Sequence, residues 1–105
     1  MVKQYPDLLS YATATEDGVN EWGVPIEVLN NHYLEGRYEN YMSGNRKEFV
    51  NKGGETVFAT AKYLVKFGQK LPPRFVTAEV RGMRFEILNV HQGQLNITIY
   101  LREVK

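Results

Sequence analysis

The sequence predicts an all-β fold: a small antiparallel β-barrel or sandwich of about six strands, with one long loop between the second and third main strands. Three observations carry this reading. Along Gln94–Val104 the apolar residues Leu95, Ile97, Ile99 and Leu101 alternate with Asn96, Thr98, Tyr100 and Arg102, the alternation that a strand with one buried face requires. Short apolar runs recur at hairpin spacing, separated by glycine and proline, which punctuate strands. No segment has a convincing helical period, and Asn45–Val50 is the one place with room for a short helix.

In chain order, "SYATATE" reads as the first strand. Asp17-Gly18 and Gly23 supply turn chemistry before the next. "VPIEVLNNHYLEGRYENY" places Val24, Ile26, Val28, Leu34 and Tyr38 on one parity, as one long strand or two with a break at Asn30-Asn31. Glu55–Phe67 alternates again, with Val57, Ala59, Ala61, Tyr63, Val65 and Phe67 in phase, and Pro72 and Pro73 end that region because proline cannot donate to a ladder. "TAEVR", "RFEILNVH" and the Gln94–Val104 strand form a three-stranded meander. Gly82-Met83 suits a tight type II′ turn, and Gly93 marks the second hairpin as a site tolerant of positive φ. The apolar parity changes between Ile87 and Leu88, so either both faces are covered there or a bulge shifts the register.

A chain of 105 residues implies one domain, 1–105. A hydrophobic share of 43% with 24% charge argues for a folded core. Net charge of +1 gives no strong pull toward nucleic acid or anionic membrane. Cysteine is absent, which removes disulfides, thiolate nucleophiles and cysteine-based zinc sites. The first sixteen residues contain no apolar run of signal-peptide length, so a cytoplasmic site of synthesis is expected.

The search for chemistry yields little. His32 and His91 lie on separate predicted strands with no ligand-spaced partner, so exposed or satisfied histidines are expected rather than metal ligands. No phosphate-cradling glycine motif occurs. Carboxylate pairs such as Glu35 and Glu39 read as a solvated strand face, with acid–base work as the sharper alternative. No catalytic residue, metal or cofactor is expected. A rival reading casts Tyr33, Tyr38, Tyr41, Arg37, Arg46 and Lys47 as a stacking platform of a small barrel that binds single-stranded nucleic acid.

The order of features resembles the head-completion, or stopper, proteins of long-tailed phages, also called head–tail connector or head–tail joining proteins. The likeness runs through "YPDLLSYATATEDGVNEWGVPIEV", "GRYENY" and "RGMRFEILNVHQGQLNITIYLREV", and covers nearly the whole chain. Asp7 stands where many relatives have a histidine or another polar residue, and no role is assigned to it. The resemblance implies a virion protein without enzymatic activity, encoded by a phage or prophage and made in the bacterial cytoplasm. It implies a ring of copies of this chain, each a monomer when isolated. The ring would sit between the portal-bound adaptor protein and a tail protein, around passing double-stranded DNA, with no membrane partner. The long loop, Asn40–Glu55, would then project into the channel and help close it, through Ser43, Gly44, Asn45, Arg46, Lys47, Glu48, Phe49, Val50, Lys52, Gly53 and Gly54. A loop without structure of its own is expected there, mobile in the lone subunit and ordered only among its copies. Trp22 and Tyr33 of the first hairpin are the expected contacts between subunits or partners.

Overall fold

The computed structural model describes residues 4–41 and 47–104. They form eight strands and no helix: β1 (Asp7–Val19), β2 (Pro25–Asn40), β3 (Glu48–Val50), β4 (Thr56–Phe58), β5 (Ala61–Val65), β6 (Thr77–Val80), β7 (Met83–Gln92) and β8 (Ile97–Glu103). Six of them close an antiparallel barrel in the order β1-β2-β5-β8-β7-β6, and β3 and β4 form a separate two-stranded sheet. The expected all-β barrel of six strands is therefore what the chain builds.

Every barrel strand sends residues of one parity inward. Leu9 and Tyr11, Leu34, Ala61, Tyr63 and Val65, Ala78 and Val80, Phe85 and Ile87, and Ile97, Ile99 and Leu101 form one buried cluster. Tyr63 is the largest of its fully buried side chains. Its ring lies where a side chain on Gly36 would otherwise be: a Cβ at Gly36 would collide with the Tyr63 ring and the Leu64 carbonyl. The Tyr63 hydroxyl lies 2.7 Å from the Leu34 carbonyl and 2.9 Å from that of Asp7, donating toward both. Burial raises the pKa of this phenol, and the nearby Asp7 charge adds to the effect.

Closure between β1 and β6 rests on two paired positions, Ser10↔Glu79 and Tyr11↔Ala78. Side chains reinforce this seam. The Asp7 carboxylate accepts from Arg81 Nε at 2.7 Å and Nη2 at 3.1 Å, and from the Tyr38 backbone N–H at 2.9 Å. The Arg81 guanidinium also lies over the Tyr38 ring, 5.3 Å from its centroid. Arg81 is at φ 52° and Gly82 at φ 75°, and Val80 pairs with Met83. The tight turn is thus Arg81-Gly82 in the type I′ form, not the type II′ Gly82-Met83 turn expected from sequence. A non-glycine residue in the left-handed region is disfavoured, and the ion pair to Asp7 holds Arg81 in place.

Three further expectations change. Gly93 does not take a positive φ; its N–H closes a wider turn onto the Asn96 carbonyl at 2.8 Å. Leu95 consequently falls in that turn, 87% exposed, and the strand starts at Ile97. The Glu55–Phe67 run is two strands, because Ala59 and Thr60 carry the chain from the small sheet into the barrel. By contrast, the parity change at Leu88 is met in both of the ways foreseen. Ile87 pairs with Leu101 and Asn89 with Tyr100, which leaves Leu88 as the extra residue of a bulge. Leu88 is nonetheless fully buried, in a second cluster with Ala59 and Tyr100 outside the barrel.

Two outcomes follow. Gly36→Ala is expected to destabilise by at least about 1–3 kcal/mol, read as a fall of roughly 10 °C in Tm. The bond to Arg81, opposed by partial burial and helped by the Tyr38 N–H, holds the Asp7 pKa below the ordinary carboxyl range. Its stabilising effect is therefore complete above the unfolded pKa of about 3.9 and is lost as pH falls through the lower folded value. Asp7→Asn should cost stability at pH 7 and none once both pKa values lie above the pH, as a denaturant titration across acid pH would show.

Candidate assembly surfaces

Two features stand outside the barrel. The first is the β3–β4 hairpin. Asn51 closes it: its backbone N–H meets the Glu55 carbonyl at 2.9 Å, and its side-chain Oδ1 accepts from the Glu55 N–H at 2.9 Å. Gly54 takes φ 84° in the turn, where a Cβ would be strained. Phe49 and Val57 are paired across the hairpin and pack, with Tyr41, against the Ala59, Leu88 and Tyr100 cluster. The Phe49 and Tyr100 rings lie 4.9 Å apart. Lys47 bonds the Tyr100 hydroxyl at 3.2 Å, and its ammonium lies 5.0 Å from that ring's centroid. The Ala59 N–H donates to the Lys47 carbonyl at 3.0 Å. Burial raises the Tyr41 pKa, and the Tyr100 hydroxyl adds to the effect.

This corrects the expected loop. Its second half has structure of its own, because Phe49 and Val57 give the hairpin an apolar face and the bulged Leu88 gives the barrel a matching one. Glu48, Phe49 and Val50 are strand, Lys47 is tied to Tyr100, and Lys52, Gly53 and Gly54 form the exposed tip. Met42, Ser43, Gly44, Asn45 and Arg46 lie outside the described residues. The signal was present in the sequence: "EFV" and "TVF" flank "NKGGE", two β-prone triplets around a glycine turn.

The second feature is an arm. Only the first part of β1 lies in the barrel wall. From Ala12 to Val19 it pairs with β2 alone, out to Val19↔Pro25, across an irregularity after Glu16. On the β2 side, pairing with β5 starts at Gly36. Among the described residues, the ribbon from Ala12 to Asn31 thus has two open strand edges. Asn20 closes its tip, its side-chain Oδ1 accepting from the Trp22 and Val24 N–H groups at 2.9 and 3.0 Å. Cross-strand bonds brace one face: Thr13 Oγ1 to His32 Nε2 at 2.8 Å, and Asn30 Nδ2 to Thr15 Oγ1 at 3.0 Å. His32 also stacks on Tyr11, so it is a satisfied strand histidine.

The arm is exposed and apolar. Trp22 is 78% exposed and Tyr33 59%, and Val19, Val24, Ile26, Val28 and Leu29 are exposed as well. The even parity of β2 that reads as core in the sequence is core only from Leu34 onward. Before that point the same alternation runs past the end of the barrel. Of the expected contact residues, Trp22 lies on this arm, and Tyr33 stands at its base, paired with Ser10 where β1 is still in the barrel wall. A cleft of about 300 Å³ opens where β1 leaves β6, bounded by Ala12, Tyr33, Thr77, Glu79 and Arg84.

The other candidate groups separate. Glu35 pairs with Lys66 at 3.2 Å and Glu39 with Lys62 at 3.5 Å, each partly or largely exposed on the barrel wall. Tyr38 packs against the barrel core near Phe85, Tyr41 joins the outer cluster, and Tyr33 is exposed at the base of the arm. These tyrosines therefore share no stacking face. No protein-family model matches the chain, and no curated protein matches it.

Truncating a half-buried aromatic at the hairpin loses about 1–2 kcal/mol of burial. Phe49→Ala should therefore speed tryptic cleavage after Lys47, and amide exchange along β3 and β4, by about tenfold or more, with a small change in global Tm.

Proposed function

We propose that this chain is a structural virion protein of a tailed phage or prophage, a head-completion stopper with no enzymatic activity. Copies form a ring between the portal-bound adaptor and a tail protein. The segment Asn40–Glu55 faces the channel and helps retain double-stranded DNA. The observation that carries this reading is the division of labour in the fold: a closed barrel with its own core bears two projections, a hairpin and an exposed apolar arm. A protein that only had to fold would bury Trp22, Val24 and Ile26; one that assembles keeps them for neighbours.

The pinned hairpin alters how the channel element works. Phe49 fixes its base on the barrel, so the element reaches inward from a firm footing, with Lys52 at its tip available to phosphate. Glu48 and Glu55 temper that attraction, so DNA can pass on ejection. The dispersal of Tyr33, Tyr38 and Tyr41 weighs against the single-strand-binding reading.

Particles assembled without this protein should lose packaged DNA and fail to accept tails, and adding the purified protein to tail-less heads should restore infectious units. Heads that keep their DNA and join tails equally well in its absence would overturn the proposal.

A further inference from the structure

The arm and the rest of the chain carry opposite charge. Ala12–Asn31 contains Glu16, Asp17, Glu21 and Glu27 and no lysine or arginine, a net −4; the whole chain is +1, so the remainder is +5. Glu16 and Glu27 are direct cross-strand partners, a like-charge pairing that destabilises an isolated ladder. A cation brought by a partner relieves it.

The rest of the chain, at +5, is a source of such cations. Arg84 lines the cleft at the base of the arm, directly across the ladder from Glu79, which lines it too; Arg84 is exposed and takes no part in the four ion pairs found among the described residues. Tyr33 stands beside it, 59% exposed. Tyrosine, arginine and tryptophan are the residue types that most often dominate binding at interfaces. The cleft also borders the open edge of β1, where an added strand finds free backbone groups. The tip of the same arm lies about 25 Å away along a continuous two-stranded ribbon, so it does not reach its own cleft.

We propose that the acidic arm of one copy seats in the Tyr33–Arg84 cleft of a second copy, with Trp22 as its apolar anchor and Glu16 and Glu27 facing the neighbour's cationic body. The occupant is a sister chain because the arm, at −4, and the rest of the chain, at +5, are of opposite charge within one sequence. Plug and socket are different surfaces, so the contact is heterologous and propagates from copy to copy until it closes. This deepens the stopper reading and rests on it for the ring.

The chain has no cysteine, so engineered pairs report directly. Glu21→Cys places a thiol at the arm tip and Thr77→Cys one in the cleft. In concentrated protein under mild oxidation, the double variant should give a ladder of disulfide-linked multimers. Mixing the two single variants should give heterodimers in at least tenfold excess over either homodimer. Glu16→Lys with Glu27→Lys should lower the yield at least tenfold, and so should high salt. Homodimers of Glu21→Cys alone would mean that arms pair with arms and would overturn the proposal; so would the absence of any ladder. Crosslinks from Glu21→Cys to the adaptor or tail protein in assembled particles, with none to Thr77→Cys, would also overturn it. The two readings fail separately: heads that retain DNA without this protein defeat the stopper role and leave a ladder standing, whereas a missing ladder with normal DNA retention defeats only the arm contact.

Discussion

The fold depends on how the barrel is closed. A six-stranded barrel has one seam where its first and last strands must meet, and here that seam has two paired positions. Backbone hydrogen bonds alone would leave it the weakest line in the wall. The chain gathers side chains instead. Asp7 joins the start of β1 to the Arg81 turn and to the Tyr38 backbone. Tyr63, from across the barrel, reaches the Asp7 and Leu34 carbonyls from inside. Gly36 leaves room for that ring. An exposed ion pair contributes little by itself, but the Asp7 carboxylate is largely enclosed, its side chain 8% exposed, and its several bonds hold three chain segments together.

The short seam is also what frees the arm. Had β6 been longer, β1 would have stayed in the wall and its distal half would have been core. Because β6 stops at Thr77, β1 and β2 run on as a ribbon and carry apolar residues into solvent. On the opposite flank, the bulge at Leu88 turns one apolar residue outward and creates a seat for Phe49 and Val57. Both projections are therefore consequences of local irregularity in the barrel ladders: one from a strand that ends early, the other from a strand with one residue too many.

Much of the barrel was legible because its strands obey a simple period: the parity of Leu34, Ala61, Tyr63, Val65, Ile97, Ile99 and Leu101 is visible in the sequence and is realised. Periodicity states which residues share a face; it does not state where the barrel ends, so Val24, Ile26 and Val28 looked like core. The Arg81-Gly82 turn was misread by one residue because glycine marks a positive φ without telling which neighbour shares it. The β3–β4 hairpin was hidden by its polar turn, although its flanking triplets alternate. Nothing in the sequence marked Asp7: its role comes from a guanidinium seventy-four positions away, a pairing that only closure creates. Of the expected contact residues, Trp22 is exposed beyond the end of the barrel and Tyr33 at the base of the arm, on the parity opposite to the buried Leu34.

The arm's open edges pose a hazard of their own. An unpaired, apolar ribbon invites edge-to-edge stacking with its like, the route by which strands form fibres. Two such ribbons approaching each other would set four carboxylates against four, and that like-charge repulsion stands against the stacking.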